Sequence, residues 1–221
     1  MTTGTGMNYE RIYAYRFDGI NQGDREVVWE ELADFLHPLL GNPRVVLDPA
    51  AGMGEFIRHS PAAERWAVDA VDFGLGSDPA VTFVQGDSLT ADVPEGHFDA
   101  IWVSNFLEHL LSQEQVAEFL ERMLTRLRPG GRIAIMGPNF KYCYREYFDC
   151  ADHTVVLSHI GVAEHVVGAG FDLHRVTPRF LPYSFRGHLP AGRSLVRRYL
   201  RTPAAWPLLG KQFLVVAERP A

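Results

Sequence analysis

Leu47-Asp48-Pro49-Ala50-Ala51-Gly52-Met53-Gly54-Glu55-Phe56 is the stretch on which the fold turns. Arg44 to Asp48 is a short apolar run of buried-strand type, and the residues after Gly54 open into a helical pattern. Gly52 and Gly54 let backbone approach a ligand with no Cβ in the way, and a helix start beyond them directs free N–H groups at it. The stretch reads as a strand, a ligand cradle and a helix. A loop that merely needs positive φ would use the same glycines, so the neighbouring segments must decide.

Those segments alternate. Further apolar runs lie at Trp66 to Val68, Val81 to Val84, Phe98 to Val103, Arg132 to Met136, Phe171 to Pro178 and Gln212 to Ala217. Between them, Val116, Phe119, Leu120, Met123, Leu124 and Leu127 form one stripe over Gln113 to Leu127. Ahead of them, Val27, Val28, Leu32, Phe35, Leu36 and Leu39 recur at helical spacing until Asn42-Pro43 interrupts. Strands alternating with helices imply crossovers and a mainly parallel, doubly wound α/β sheet, whose ligands bind at the carboxyl ends of the strands. Polar groups stand at that edge in series: Asp69, with Asp72 in reserve, then Gly86-Asp87-Ser88, then Ser104-Asn105. Asp69 falls 15 residues beyond Gly54, where a carboxylate can accept hydrogen bonds from both hydroxyls of a ribose.

Composition narrows the class. The chain has 221 residues, 47% hydrophobic, with 21 Lys+Arg against 27 Asp+Glu for a net charge of -6. That length forms one ample domain without staples, and Cys143 and Cys150 make neither a disulfide framework nor a zinc pattern, which points to a reducing cytosol. No apolar run is long enough to span a membrane, and the N-terminus lacks the features of a signal peptide, so a soluble cytoplasmic protein is expected. The acidic balance argues against a nucleic-acid partner.

The succession VVLDPAAGMGEF, WAVDAVD, VQGDSL, FDAIWVSNFLEHL and LRPGGRIAIMGPN resembles the motif series of class I S-adenosylmethionine-dependent methyltransferases over about Arg44 to Asn139. The resemblance implies a Rossmann-like seven-stranded sheet with an antiparallel last strand, and S-adenosylmethionine as cofactor. It implies that Gly52 and Gly54 contact the methionine part, with Asp48 helping to hold its amino acid moiety. Asp69 would meet the ribose, Asp87 beside Ser88 the adenine amino group, and Ser104 and Asn105 the region of the sulfonium. Ala50 departs from the pattern, since it takes the place of the family's first glycine. A nicotinamide fold fits less well: the third glycine of its fingerprint is missing and Ile57 would crowd the helix against the strand.

The expected organisation is a single domain, residues 1–221: an N-terminal flap and helix at 1–42, a cofactor-binding core at 43–137, and substrate-lid inserts at 138–156 and 181–209. Long connections at the ligand edge are more often functional than idle. His153 beside Asp152 is the candidate general base, because imidazole titrates near neutral pH and a carboxylate can orient it; a hydrogen-bonded structural histidine is the alternative. Glu108-His109 is the runner-up. Tyr13, Arg16, Tyr144, Tyr147 and Arg179 are the candidate substrate-binding residues. Tyr13, Tyr15, Arg16, Phe17 and Trp29 read either as a flap or as an aromatic patch on the sheet. Arg186, Arg193, Arg197, Arg198 and Arg201 read either as a basic surface for an anionic substrate or membrane, or as the solvated face of a helix buried through Leu195, Tyr199 and Leu200. Asp152, His153 and His159 have no metal-binding spacing, and no metal is assigned. A broader motif set, including EYFDxxDH and RFLPYS, is similar to stand-alone bacterial methyltransferases of glycan or secondary-metabolite assembly. The expected function is methyl transfer to an oxygen or nitrogen of a small-molecule or carrier-linked acceptor in such biosynthesis. The alternatives are non-transfer chemistry on the same fold and a non-catalytic binding partner. Oligomeric state is not legible.

Overall fold

Strand β4 (Phe98–Ser104) shows why the sheet forms: its residues through Val103 are buried on both faces, as a central parallel strand requires. Ile101 and Val103 join one apolar cluster while Ala100 and Trp102 join the other, following the two-residue period of a strand, and Phe98 joins the first across the irregularity between Phe98 and Ala100. The computed structural model describes residues 7–16, 18–19, 22–183 and 192–221. Around β4 stand β1 (Val45–Asp48), β2 (Glu64–Asp69), β3 (Thr82–Gln85), β5 (Leu127–Pro138), β6 (Asp172–Thr177) and β7 (Gln212–Glu218). Their order is β3-β2-β1-β4-β5-β7-β6. Strands β1 to β5 pair in parallel and β7 runs against both β5 and β6, so the expected seven-stranded Rossmann-like sheet with an antiparallel last strand is present.

Helices cover both faces. On one, α4 (Gln113–Arg126) buries Val116, Phe119, Leu120 and Met123 beside α6 (His159–Gly168). Ser112 caps α4 by accepting a hydrogen bond from the Gln115 N–H at 3.2 Å, a contribution of about 1 kcal/mol. On the other face, α2 (Gln22–Leu39) buries Leu32 and Leu36 against α3 (Glu55–His59) and α7 (Arg193–Leu200). Strand β5 begins at Leu127, ahead of the expected Arg132, and carries Pro129-Gly130-Gly131 through an irregularity in its pairing with β4. Among the described residues no helix is long and apolar enough to cross a membrane.

Of the five arginines in the basic segment, Arg193 and Arg197 have acidic partners on α2. Arg193 Nη1 lies 3.2 Å and Arg197 Nη2 2.6 Å from Oε1 of the buried Glu31, and Arg193 also pairs with Glu30. These two arginines fasten α7 to α2. Leu195 is exposed, and the half-buried Val196 and Tyr199 with the buried Leu200 make the apolar stripe. Arg186 and Phe17 lie outside the described residues.

Candidate active site

The connections from β1 and β4 leave in opposite directions, so their carboxyl ends frame a crevice at the switch point of the sheet. The turn after β1 closes on itself through Gly54 N–H to Ala51 O at 2.8 Å and is tied to β2 through Ala51 N–H to Val68 O at 2.9 Å. Gly52 adopts φ +52°, and a Cβ there would meet nothing within 4 Å. Gly54, at φ +77°, is glycine for another reason, since its Cβ would come within 2.5 Å of Leu75 Cδ2. One glycine keeps space open, and the other allows packing.

Asp48, Ala50, Gly52, Ser104 and Asn105 line a cleft that opens to solvent. Asp48 is 3% exposed and its carboxylate receives one long hydrogen bond, from Ala50 N–H at 3.3 Å. Burial therefore pushes its pKa up to about 8. Asn105 takes a left-handed φ of 48°, and its Oδ1 is buried with no hydrogen-bond partner. Asp69 stands behind the turn and accepts from Gly52 N–H at 2.8 Å and Val71 N–H at 3.0 Å, while burial raises its pKa. Asp87 accepts from Leu89 N–H at 2.8 Å, with buried Ser88 next to it. Gly54, Asp69, Asp87 and Ser88 thus sit near the same strand edge without lining this cleft.

Across the cleft, the 3-10 turn Leu107–His109 meets the segment after α5 (Phe140–Cys143). Glu108 O accepts from Thr154 N–H at 2.8 Å and Val155 N–H at 3.1 Å, which brings Glu108, His109, Asp152 and His153 together. The expected Asp152–His153 dyad is not what forms. Asp152 is ion-paired with Arg16 through Oδ1, and its Oδ2 lies 3.3 Å from His109 Nδ1, which also contacts Asp152 O at 3.0 Å. Burial alone would raise the Asp152 pKa, but His109 and Arg16 outweigh it and the net shift is downward. His153 lines the cleft with its ring edge-on to His109 and Tyr147, at centroid distances of 4.8 and 5.0 Å. Burial and the neighbouring His109 push its pKa down to about 4, so the imidazole is neutral. Glu108, 1% exposed, is pushed up to about 8 by burial.

Helix α1 (Tyr9–Arg16) closes a third side. Tyr13 stacks on Phe73 at 5.8 Å and lines the cleft with Arg16 and with Trp29 of α2. Three expected substrate-binding residues lie elsewhere. Tyr147 is fully buried, donating to Val155 O at 2.6 Å and accepting from Leu157 N–H at 3.2 Å, so it braces the segment. Tyr144 is exposed beside Arg145. Arg179 donates to Gly210 O at 2.7 Å and holds the 203–210 connection. His159 contacts Asn139 Nδ2 at 2.9 Å and does not join Asp152 and His153.

Residues 22–165, more than half of the chain, match the family model described as a methyltransferase domain. The chain belongs to this methyltransferase family. The recognition of a methyltransferase drawn from the motif series therefore stands. In fold, this methyltransferase is similar to an S-adenosylmethionine-dependent methyltransferase from Archaeoglobus fulgidus, at 20% identity over 96% of this chain and 100% of that one, with a TM-score of 0.66. It is also similar to the N-methyltransferase NodS from Bradyrhizobium japonicum, at 15% identity over 85% and 93%, TM-score 0.56. The [4+2]-cyclase SpnF shares the fold at 16% identity over 87% and 81%, TM-score 0.60. No curated protein matches by sequence.

Sequence reasoning missed part of this methyltransferase's cleft. Arg25 and Glu55, joined by Nη2 to Oε2 at 2.7 Å, line it where α2 meets α3, as do Cys150 and Tyr183. Tyr183 lies inside the RFLPYS motif and Arg25 inside an RxxVW motif of the same set, but neither is singled out there as a site residue. His109 is named with Glu108 as the runner-up base, because FLEHLL places it beside the end of β4.

Proposed function

We propose that the protein transfers the methyl group of S-adenosylmethionine to an oxygen or nitrogen of a small-molecule or carrier-linked acceptor, in secondary-metabolite or glycan biosynthesis. The observation that carries this reading is the crevice between β1 and β4, where Gly52 leaves open space beside a buried, under-bonded Asp48. When bound, S-adenosylmethionine supplies an electrophilic methyl group on a sulfonium. The residues fit such a group: among the described residues Asp48 has no cationic partner, which an amino acid moiety would provide, and Asn105 Oδ1 has no donor. Asp48, Ala50, Gly52, Ser104 and Asn105 would hold its methionine end. Gly54 supports the turn, and Asp69, Asp87 and Ser88 would serve the nucleoside end along the same edge.

Acceptor recognition falls to Tyr13 and Arg16 on the flap and to the insert at 138–156, through Cys150 and His153, with Tyr183 from the insert at 181–209. Tyr144, Tyr147 and Arg179 brace or flank these segments. Methyl transfer asks chiefly for in-line placement, which effective-concentration arguments value at about 7 to 11 kcal/mol. His153 is the acceptor-side catalytic group, facing the cleft as a neutral imidazole; Asp152 positions Arg16 and His109 around it. A cytoplasmic setting suits the free thiols of Cys143 and Cys150. Titration with S-adenosylhomocysteine by calorimetry tests the cofactor half, and transfer of labelled methyl to sugars, amines and phenols tests the acceptor half. No binding heat would overturn the reading.

A further inference from the structure

We propose that Glu108, His109 and His153 bind one divalent transition-metal ion of zinc-like character, with a coordination position left open to the cleft. One ligating atom from each of these residues lies within 4.8 Å of the other two, and all three residues line the cleft. Two of these side chains are more than nine-tenths buried with an atom that makes no hydrogen bond among the described residues: Oε1 of Glu108 and Nδ1 of His153. Buried polar atoms are seldom left unanswered in native proteins, and here the two belong to one cluster.

The surroundings suit a metal. His109 Nδ1 is engaged by the Asp152 carbonyl at 3.0 Å with the Asp152 carboxylate at 3.3 Å, so ligation would fall to Nε2 and would have to replace the contact that the ring also makes with the Asn105 backbone. A ring nitrogen held by a carbonyl or carboxylate is the usual support for a metal-bound histidine. Asp152 is already paired with Arg16, so it is suited to orient His109 from behind. Cys150, Asp152 and His153 form a second group within the same 4.8 Å, which places a thiol next to the trio. Two imidazoles and a carboxylate, with sulfur nearby, favour zinc-like ions over the all-oxygen preference of calcium and magnesium. Bonds of about 2.0 to 2.1 Å in a tetrahedral site would draw the donors together by up to about 1.5 Å, which side-chain rotation would have to supply. The arrangement of three protein ligands and an open fourth position is that of a catalytic site, not a closed structural one.

The metal site stands without the methyl-transfer reading, but its use rests on that reading. An ion there would fix an oxygen-bearing acceptor, a hydroxyl or carboxylate, beside the methyl donor, and would make His153 a ligand and not a base. The test uses the full chain stripped by chelator. Cobalt(II) is titrated in while visible absorption is recorded, zinc(II) is then used to displace it, and thermal midpoints are followed. One equivalent per chain is expected, with the midpoint raised by several degrees at saturating zinc. Glu108→Gln and His153→Ala should each weaken binding at least tenfold. Absence of both the cobalt spectrum and the thermal shift up to about 100 μM metal, a level far above any specific zinc site, overturns the proposal. Unchanged affinity in both variants overturns it as well. Glu108→Gln keeps the size of the side chain and so preserves the test if His153→Ala does not fold. S-adenosylhomocysteine binding to the stripped protein is measured alongside; its loss in the parent protein would count against the methyl-transfer reading and leave the metal result intact.

Discussion

The backbone N–H of Gly52 donates to Oδ2 of Asp69 at 2.8 Å, which pins the turn after β1 to the end of β2. A carboxylate expected to serve a ribose therefore also shapes the turn beside it. Asp69→Ala strips acceptors from the Gly52 and Val71 amides, and an unsatisfied buried donor costs about 1 to 3 kcal/mol. We expect a loss of about 2 kcal/mol in denaturant unfolding, together with weakened cofactor binding by calorimetry. A variant with wild-type stability would remove the pin from the account.

Gly52 and Gly54 should respond differently to alanine. At Gly52 only the left-handed backbone is strained, costing about 1 kcal/mol, whereas at Gly54 the new methyl would also strike Leu75 and raise the loss to about 3 kcal/mol. Gly52→Arg should abolish cofactor binding by filling the space that glycine leaves open. Equal destabilisation by the two alanines, read from unfolding midpoints, would contradict the distinction.

Asp48 ties stability to pH. Its folded pKa of about 8 lies above the ordinary carboxylate value, so the folded state holds a proton that the unfolded chain has released between those limits. Stability should therefore fall as pH rises from about 4 to about 8, by up to about 1.4 kcal/mol per unit, and level off above. Asp48→Asn should flatten this slope while weakening S-adenosylhomocysteine binding roughly ten- to hundredfold. Thermal midpoints across pH, compared between the two proteins, check the sign.

The Arg16–Asp152 pair bridges α1 and the acceptor-side segment with side chains 13% and 1% exposed. Removing one partner of such a buried pair costs about 3 to 5 kcal/mol. Asp152→Ala should thus lower stability sharply and speed proteolysis near α1. His153→Ala should instead abolish turnover with cofactor binding retained; full activity would end its assignment as the acceptor-side group.

Charge reversal at Arg197 separates anchoring from substrate binding. Because Arg197 faces Glu31, and half of its side chain is in solvent, Arg197→Glu should lower the unfolding midpoint and leave the acceptor KM unchanged. A raised KM with normal stability would restore the anion-binding alternative.

The parts of this molecule that were legible in the sequence are those fixed by local period. The stripe from Val116 to Met123, the doubly buried β4 and the glycine turn each carry their pattern within a few residues. The acceptor side was less legible because its partners are remote in sequence. Asp152 was adjacent to His153 in the chain, yet geometry gave it His109 and Arg16. Arg197 looked like free charge because Glu31 stands 166 residues away. Tyr147 had the composition of a pocket wall, and only its two buried hydrogen bonds reveal a brace.

Strand β7 lies between β5 and β6, although it is the last of the seven to be made. During synthesis, β6 consequently has no place in the sheet until residues 212–218 have cleared the ribosome. The cofactor half, β1 to β5, can assemble earlier, as the nascent chain extends. Completion of the sheet is thus a late docking step, and in the interval the edge of β5 is open to pairing with another nascent chain.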